Sequence, residues 1–324
     1  MTNKILLCLL ILGACVNPVF GQKNISLEDI WLNYSYYSRS VPGFNFMNDG
    51  ESYSRLQSNK VQKYSIKSGQ FIEDLFALDM LPSSKDLPQS ISGYSFSADE
   101  QKMLVESGPE SIYRYSYKAD YFVWANGSLD PLFDEGKVMH AAFDPSGTRV
   151  AFVFDNNLYI KNLKDGNVDQ VTTDGAFNEV INGSADWVYE EEFGFTKAFQ
   201  WSTDGKYVAY YRFDERAVKE FTMTVYKNEM YPEYQTFKYP KVGEQNATVS
   251  VFIYNVDSKT NIQADLPVDP ELYTPRIKWA NPEHGLCVTM MNRHQNRLSL
   301  NLVDPTTGDS KILLEEKNKY YIDV

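Results

Sequence analysis

Along most of this chain apolar and polar residues alternate, and one kind of turn interrupts the alternation again and again. An aromatic residue is followed by a short stretch containing Asp or Gly, and then by an alternating strand. The phrase appears as Phe96-Ser97-Ala98-Asp99-Glu100-Gln101-Lys102-Met103-Leu104-Val105. It recurs as Phe143-Asp144-Pro145-Ser146-Gly147-Thr148-Arg149-Val150-Ala151-Phe152. It returns as Trp201-Ser202-Thr203-Asp204-Gly205-Lys206-Tyr207-Val208-Ala209-Tyr210. A degenerate copy starts at Trp279 and runs through Asn281-Pro282-Glu283-His284-Gly285 to Leu286-Cys287-Val288. Such turn residues supply the positive or preset φ that a tight hairpin needs, so each copy predicts two paired strands.

A second hairpin follows Phe152, with Asp155-Asn156-Asn157 as its turn and Leu158-Tyr159-Ile160 as the return strand, and Lys164-Asp165-Gly166 closes the next turn. One unit therefore has about four strands, and a four-stranded unit recurring about every 50 residues predicts propeller blades. The expected fold is all-β: an incomplete β-propeller of roughly five four-stranded blades. A two-sheet sandwich would use the same strands but accounts less well for the repeated phrase. The long interval before Trp279 holds further strand candidates at Phe221–Tyr226 and Thr248–Tyr254. Tyr53–Leu56 and Val61–Ile66 predict an early hairpin in an otherwise less regular start, and Tyr320–Val324 reads as a strand.

Composition fits this reading. Of the 324 residues, 43% are apolar and 15% aromatic, with 23 Tyr and 19 Phe, side chains that pack well on a pleated surface. The formal net charge of -12 repels phosphate backbones and anionic bilayers, which argues against nucleic-acid binding and against electrostatic membrane attachment.

The first residues read as an export signal, residues 1–21: Lys4 followed by the apolar run Ile5–Leu12, too short to span a bilayer. Two cleavage readings stand. Val19-Phe20-Gly21 before Gln22 suits a signal peptidase; Leu12-Gly13-Ala14-Cys15 resembles a lipobox in which Cys15 would carry lipid. The expected location is the periplasm or cell envelope, secreted or lipid-anchored, and lipid is the only membrane link. With Cys8 and Cys15 in the signal, Cys287 has no partner for an internal disulfide and reads as a buried structural thiol. His140, His284 and His294 lie in no triad-like or metal-like context. No metal site or cofactor is expected.

One segment breaks the strand pattern: Asp186-Trp187-Val188-Tyr189-Glu190-Glu191-Glu192. A run of three acids is ordinarily a solvated face near a helix start, where it complements the helix dipole. Here cap-type residues precede it, so a short helical insertion is expected. On a helix Glu191 and Glu192 diverge by about 100°, close enough for both to reach one cation. Trp187 and Tyr189 would anchor the segment by burial, with Asp186 as support.

This phrase resembles the double-glutamate motif of the dipeptidyl peptidase IV branch of the prolyl oligopeptidase family. Arg114-Tyr115-Ser116-Tyr117-Lys118-Ala119 is similar to the family segment whose arginine reaches the substrate, and Tyr239-Pro240-Lys241-Val242-Gly243-Glu244-Gln245-Asn246 to a following family phrase. The similarity runs from about Leu27 onward. It implies that residues 22–324 form the N-terminal propeller portion of a serine dipeptidyl aminopeptidase. Glu191 and Glu192 would grip a peptide's ammonium, Arg114 would contact a carbonyl near that end, and Glu190 would be structural or solvent-facing. It also implies dipeptide release with Pro or Ala second, and a catalytic α/β-hydrolase domain in cis. No Gly-x-Ser-x-Gly elbow occurs in the sequence, Gly50-Glu51-Ser52-Tyr53-Ser54 being the nearest look-alike, so no catalytic residue is assigned and this chain alone is expected to be inactive. The expected partner is a peptide amino terminus; a homodimer stays open. The alternative is a non-catalytic propeller that binds peptides or proteins at the envelope.

Overall fold

The computed structural model describes residues 24–38, 40–81, 87–280 and 285–324. The expected signal segment, with Cys8 and Cys15, and also His284 lie outside the described residues. The chain divides into two compact units, residues 1–43 and 44–324. Among the described residues of the first, a short helix α1 (Leu27–Trp31) is capped by Ser26, whose hydroxyl accepts from the Asp29 N–H at 3.0 Å.

The second unit is all-β apart from short helical turns. Its first sheet is β1 (Asn45–Phe46), β2 (Ser52–Gln57), β3 (Lys60–Ser65) and β4 (Phe71–Ala77), antiparallel and in sequence order. The second is β5 (Gly93–Phe96), β6 (Lys102–Ser111), β7 (Tyr117–Ala125) and β8 (Ser128–Pro131). The third is β9 (Met139–Phe143), β10 (Arg149–Phe154), β11 (Asn157–Asn162) and β12 (Val168–Gln170). A larger sheet follows. β13 (Val180–Asn182) and β14 (Phe199–Trp201) both pair with β15 (Tyr207–Asp214). A ribbon of β16 (Glu220–Val225) and β17 (Glu233–Lys238) then leaves this sheet, which resumes with β18 (Thr248–Asn255) and β19 (Thr260–Gln263). The last sheet is β20 (Leu272–Trp279), β21 (Leu286–Asn292), β22 (Arg297–Val303) and β23 (Ser310–Lys317).

The recurring phrase is the first hairpin of each sheet. Its leading aromatic pairs with the apolar residue that opens the next strand: Phe96 with Met103, Phe143 with Val150, Trp201 with Val208 and Trp279 with Leu286. The structure adds a copy that the sequence reading missed, Phe46 paired with Tyr53 at the same separation. The turns close alike. The Ser97 hydroxyl donates to Asp99 and accepts from the Lys102 N–H, and Ser202 does the same with Asp204 and Tyr207. At the equivalent place Asp144 accepts from the N–H groups of Thr148 and Arg149. All three acceptors are buried, so each turn's backbone donors are satisfied without water.

Between sheets the core forms in sequence order. Val61 and Phe76 of the first pack on Met103 and Phe122 of the second; Leu104 and Val123 of the second join Val150 and Phe152 of the third. Val153 and Leu158 meet Phe199 and Val208, and Ala209 and Val251 meet Ile277 and Leu286. Each fully buried Val, Leu, Ile, Phe or Met among them contributes about 1.5–3 kcal/mol of transfer free energy. Consecutive four-stranded meanders stacked on one another agree with the propeller expectation.

Two expectations fail. Tyr320–Val324 is not a strand: β23 ends at Lys317, and the Asn318 side chain accepts from the Tyr320 N–H, a local turn that competes with pairing. Cys287 is half-buried, because alternate residues of β21 face the two sides of its sheet. His140 is held within β9 at φ +59°, its Nε2 3.1 Å from the Ser184 hydroxyl. Burial pushes its pKa down to about 3, so the ring is neutral near pH 7. Among the described residues no helix is long and apolar enough to cross a membrane.

Candidate functional site

Between β13 and β14 the chain makes the expected helical excursion, α2 (Trp187–Phe193). Its neck is closed by backbone bonds from Ala185 N–H to Thr196 O and from Ala198 N–H to Gly183 O. Asp186 is the N-cap: its backbone is extended and its carboxyl accepts from the Tyr189 N–H at 2.9 Å. Gly194 ends the helix at φ +68°, the left-handed cap conformation that a side chain resists.

A helix of two turns is not stable alone in water. Tertiary contacts therefore hold it. Val188, Tyr189 and Phe193 are buried in the core shared with the last two sheets. The Tyr189 hydroxyl accepts from the Thr274 N–H at 2.7 Å, and the half-buried Trp187 ring packs 4.3 Å from that of Tyr239. Asp186, Trp187 and Tyr189 each make one of these contacts. Tyr239 opens the Tyr-Pro-Lys phrase; Asn246, which ends it, donates to the Tyr273 hydroxyl at 3.1 Å.

The three acids point in different directions, as a 100° step per residue requires. Glu190 is fully buried, and its Oε1 accepts from the N–H groups of Tyr115 (2.7 Å) and Ser116 (3.0 Å). Those amides belong to the tight β6–β7 turn, itself closed by an Ile112 N–H bond to Ser116 O. Glu190 therefore fastens the turn carrying Arg114 onto the helix carrying the other two acids. The sequence reading left Glu190 as structural or solvent-facing; it is structural, and the direction of its side chain had no local signal. Its Oε2 is buried and has no hydrogen-bond partner among the described residues.

Glu191 receives Arg114. The guanidinium Nε donates to Oε1 at 2.9 Å and Oε2 at 3.1 Å. This bond occupies only Nε; both terminal nitrogens of Arg114 lack a protein acceptor among the described residues, and the side chain is 65% exposed. Glu192 is exposed and makes no hydrogen bond or ion pair among the described residues. The structure thus joins Arg114 to Glu191, while Glu192, next along the helix, keeps its carboxylate unpaired.

Beneath the site lies a buried acidic layer that sequence reasoning missed. Asp186 and Glu215 are both nearly inaccessible. Burial lifts the Asp186 pKa from 3.8 to about 7; burial, and then the charge of Asp186, lifts that of Glu215 from 4.5 to about 8. Burial, reinforced by Glu215, Asp186 and Glu190, also raises the Tyr113 hydroxyl. Glu215 sits in the charged run Asp214-Glu215-Arg216, where nothing local marks it as buried.

Residues 97–324 match the family model of the dipeptidyl peptidase IV (DPP IV) N-terminal region. The chain belongs to the dipeptidyl peptidase IV family. Its fold matches the crystal structure of Porphyromonas gingivalis dipeptidyl peptidase 4 with a TM-score of 0.86 and 38% identity, covering 94% of this chain and 44% of that one. Among curated relatives, a probable dipeptidyl-aminopeptidase B of Aspergillus oryzae is 33% identical over 67% of this chain and 26% of its own length. Human prolyl endopeptidase FAP is 29% identical over 86% of this chain and 37% of its own length. The chain thus spans less than half the length of each of these proteins.

Proposed function

We propose that this chain is the β-propeller of a serine dipeptidyl aminopeptidase, the part that limits access and anchors the substrate's free amino terminus. Roughly five blades and the helical excursion α2 make up this portion of an incomplete propeller. The observation that carries the reading is the pairing at α2: Arg114 neutralises Glu191 while Glu192 stays unpaired. Arg114, Glu191 and Glu192 together carry one net negative charge, the complement of one ammonium.

In this reading the ammonium donates to Glu191 and Glu192, each charge-assisted bond contributing about 1.5–3 kcal/mol. The free terminal nitrogens of Arg114 donate to the first peptide carbonyl. An extended peptide advances about 3.3–3.6 Å per residue, so a fixed amino end sets where a nucleophile meets the chain. Holding it also orients the scissile bond. Bond cleavage, and a preference for Pro or Ala at the second position, belong to an α/β-hydrolase domain acting in cis. The protein is exported to the periplasm or cell envelope, free or tethered through lipid.

Calorimetric titration of the chain with Ile-Pro-Ile and with its N-acetylated form tests the amine site. The free peptide is expected to bind at least about tenfold more tightly, and Glu191→Ala or Glu192→Ala to remove most of that margin. Affinity should fall as pH rises through about 8, where an α-amino group loses its proton. Equal binding of the acetylated peptide would overturn the assignment.

A further inference from the structure

The sheets that pack on either side of the fourth share an irregularity in their first strands. In β20 the register against β21 shifts between Tyr273 and Arg276, so Thr274 and Pro275 together oppose Met290. In β9 the register against β10 shifts in the same way, and His140 and Ala141 together oppose Phe152. A bulge of this kind re-aims the groups within it. Both aim at the α2 excursion. The β20 bulge presents the Thr274 N–H to the Tyr189 hydroxyl. The β9 bulge presents the His140 ring to Ser184, with Nε2 3.1 Å from the hydroxyl oxygen.

Ser184 is buried in the neck of the excursion, two residues before the N-cap Asp186. Its backbone bridges to Lys197 on the opposite side of the neck. Its hydroxyl donates at 3.4 Å to the Thr196 carbonyl, which also takes the Ala185 N–H. With the hydroxyl proton directed there, the ring donates through Nε2. His140, Ser184 and Thr196 thus form a polar chain that fastens the third sheet to the neck. Among the described residues no other side-chain hydrogen bond from that sheet reaches the excursion.

The backbone at His140 singles this residue out. Its φ of +59° lies in the left-handed region, where the first residue of such a bulge is ordinarily glycine. A histidine there holds a strained conformation that persists only where its surroundings impose it, and such strain collects at functional sites. Glycine would relax the bulge but leave Ser184 without its ring partner. Carboxylates that must meet one ammonium need supports of this kind beneath them.

We propose that His140 is a positioning residue of the amine site: through Ser184 it fixes the neck of the excursion, and with it the placement of Glu191 and Glu192. The proposal rests on the amine-site reading, so its test carries one arm that needs no peptide.

Calorimetric titration with Ile-Pro-Ile and its N-acetylated form, and hydrogen exchange at the Ala185 and Ala198 amides of the neck, are compared for the whole chain, Ser184→Ala, His140→Gly and the double variant. Each single change should weaken the free peptide about fivefold, the worth of one hydrogen bond, and speed exchange at the neck by a similar factor. The acetylated peptide should bind as before. The double variant should lose no more than either single one, because both remove the same interaction. Glycine relieves the backbone, so His140→Gly should melt close to the parent while losing affinity, a split that a merely structural histidine would not give. Parent affinity and parent exchange in Ser184→Ala, equal weakening of both peptides, or losses that add in the double variant would each overturn the proposal. Should the unaltered chain bind both peptides alike, the amine-site reading falls, and neck exchange alone decides whether His140 holds the excursion. Should His140→Gly fail to fold, Ser184→Ala, which removes one oxygen atom, still decides it.

Discussion

The fourth sheet carries two excursions, and they are built in opposite ways. The α2 excursion between β13 and β14 is short and largely buried, and three bonds tie its helix to two other parts of the unit: Glu190 to the β6–β7 turn, and Tyr189 and Phe193 to Thr274 and Arg276 of β20. Among the described residues, the β16–β17 ribbon between β15 and β18 is pinned only near its base. There Lys238 donates to Val218 O, and the rings of Tyr113 and Phe237 lie 5.7 Å apart. Towards its tip Tyr226, Met230 and Tyr231 are 76%, 90% and 80% exposed. One excursion places side chains to within hydrogen-bonding tolerance, as a binding constellation needs. The other keeps cross-strand pairing and little else. Positional accuracy in this chain comes from long-range polar ties, since α2 is too short to hold itself.

The comparison breaks most visibly if Glu190 is removed. Glu190→Ala leaves the Tyr115 and Ser116 amides without their acceptor and is expected to cost about 2–4 kcal/mol in chemical denaturation. Hydrogen exchange at those two amides should accelerate towards the rate seen at the ribbon tip. Glu190→Gln keeps an acceptor oxygen and should cost less. An alanine variant within about 0.5 kcal/mol of the parent, with both amides still protected, would show that the tie is dispensable.

A smaller effect is expected from the acidic layer under α2. The folded chain keeps protons on Asp186 and Glu215 at pH values where the unfolded chain has lost them. Unfolding therefore releases protons, so stability declines as pH rises from about 4 to between 7 and 8, and this contribution levels off above. Asp186→Asn retains a capping acceptor but removes one titrating group, so its stability profile should fall less steeply across that window. A profile as steep as the parent's would remove Asp186 from the account.

The smallest effect belongs to the ribbon. Tyr231→Ser at its exposed tip should change stability by less than about 0.5 kcal/mol and leave peptide affinity unchanged. A loss above about 1 kcal/mol would mean that the two excursions do not differ as described.

The same contrast explains what was legible in the sequence. The sheets were, because each hairpin is a local event: the aromatic, the turn acceptor and the opening strand residue lie within one short phrase. The copy at Phe46 escaped because Tyr53 stands where the other copies have an aliphatic residue or Met, and because Phe46 is exposed. Within the ribbon, Phe221–Tyr226 read as a strand, but its partner Glu233–Lys238 did not, being polar along most of its length. The terminal Tyr320–Val324 had strand-like residues, but the Ile322 N–H donates to Gln295 O in the β21–β22 turn and no strand ladder forms among the described residues. At the site, Asp186, Trp187 and Tyr189 were readable as local helix anchors. That Glu190 faces inward, that Arg114 meets Glu191 and that Glu215 is buried follow from contacts between residues 29 to 77 positions apart (186–215, 114–191), which no local pattern encodes.

A structure of the chain with Ile-Pro-Ile bound tests the central claim most directly. The account predicts the peptide's ammonium nitrogen about 2.7–2.9 Å from carboxylate oxygens of both Glu191 and Glu192, with a terminal nitrogen of Arg114 on the first carbonyl. A peptide bound with its amino end away from α2, or with Glu192 still turned to solvent, would contradict it.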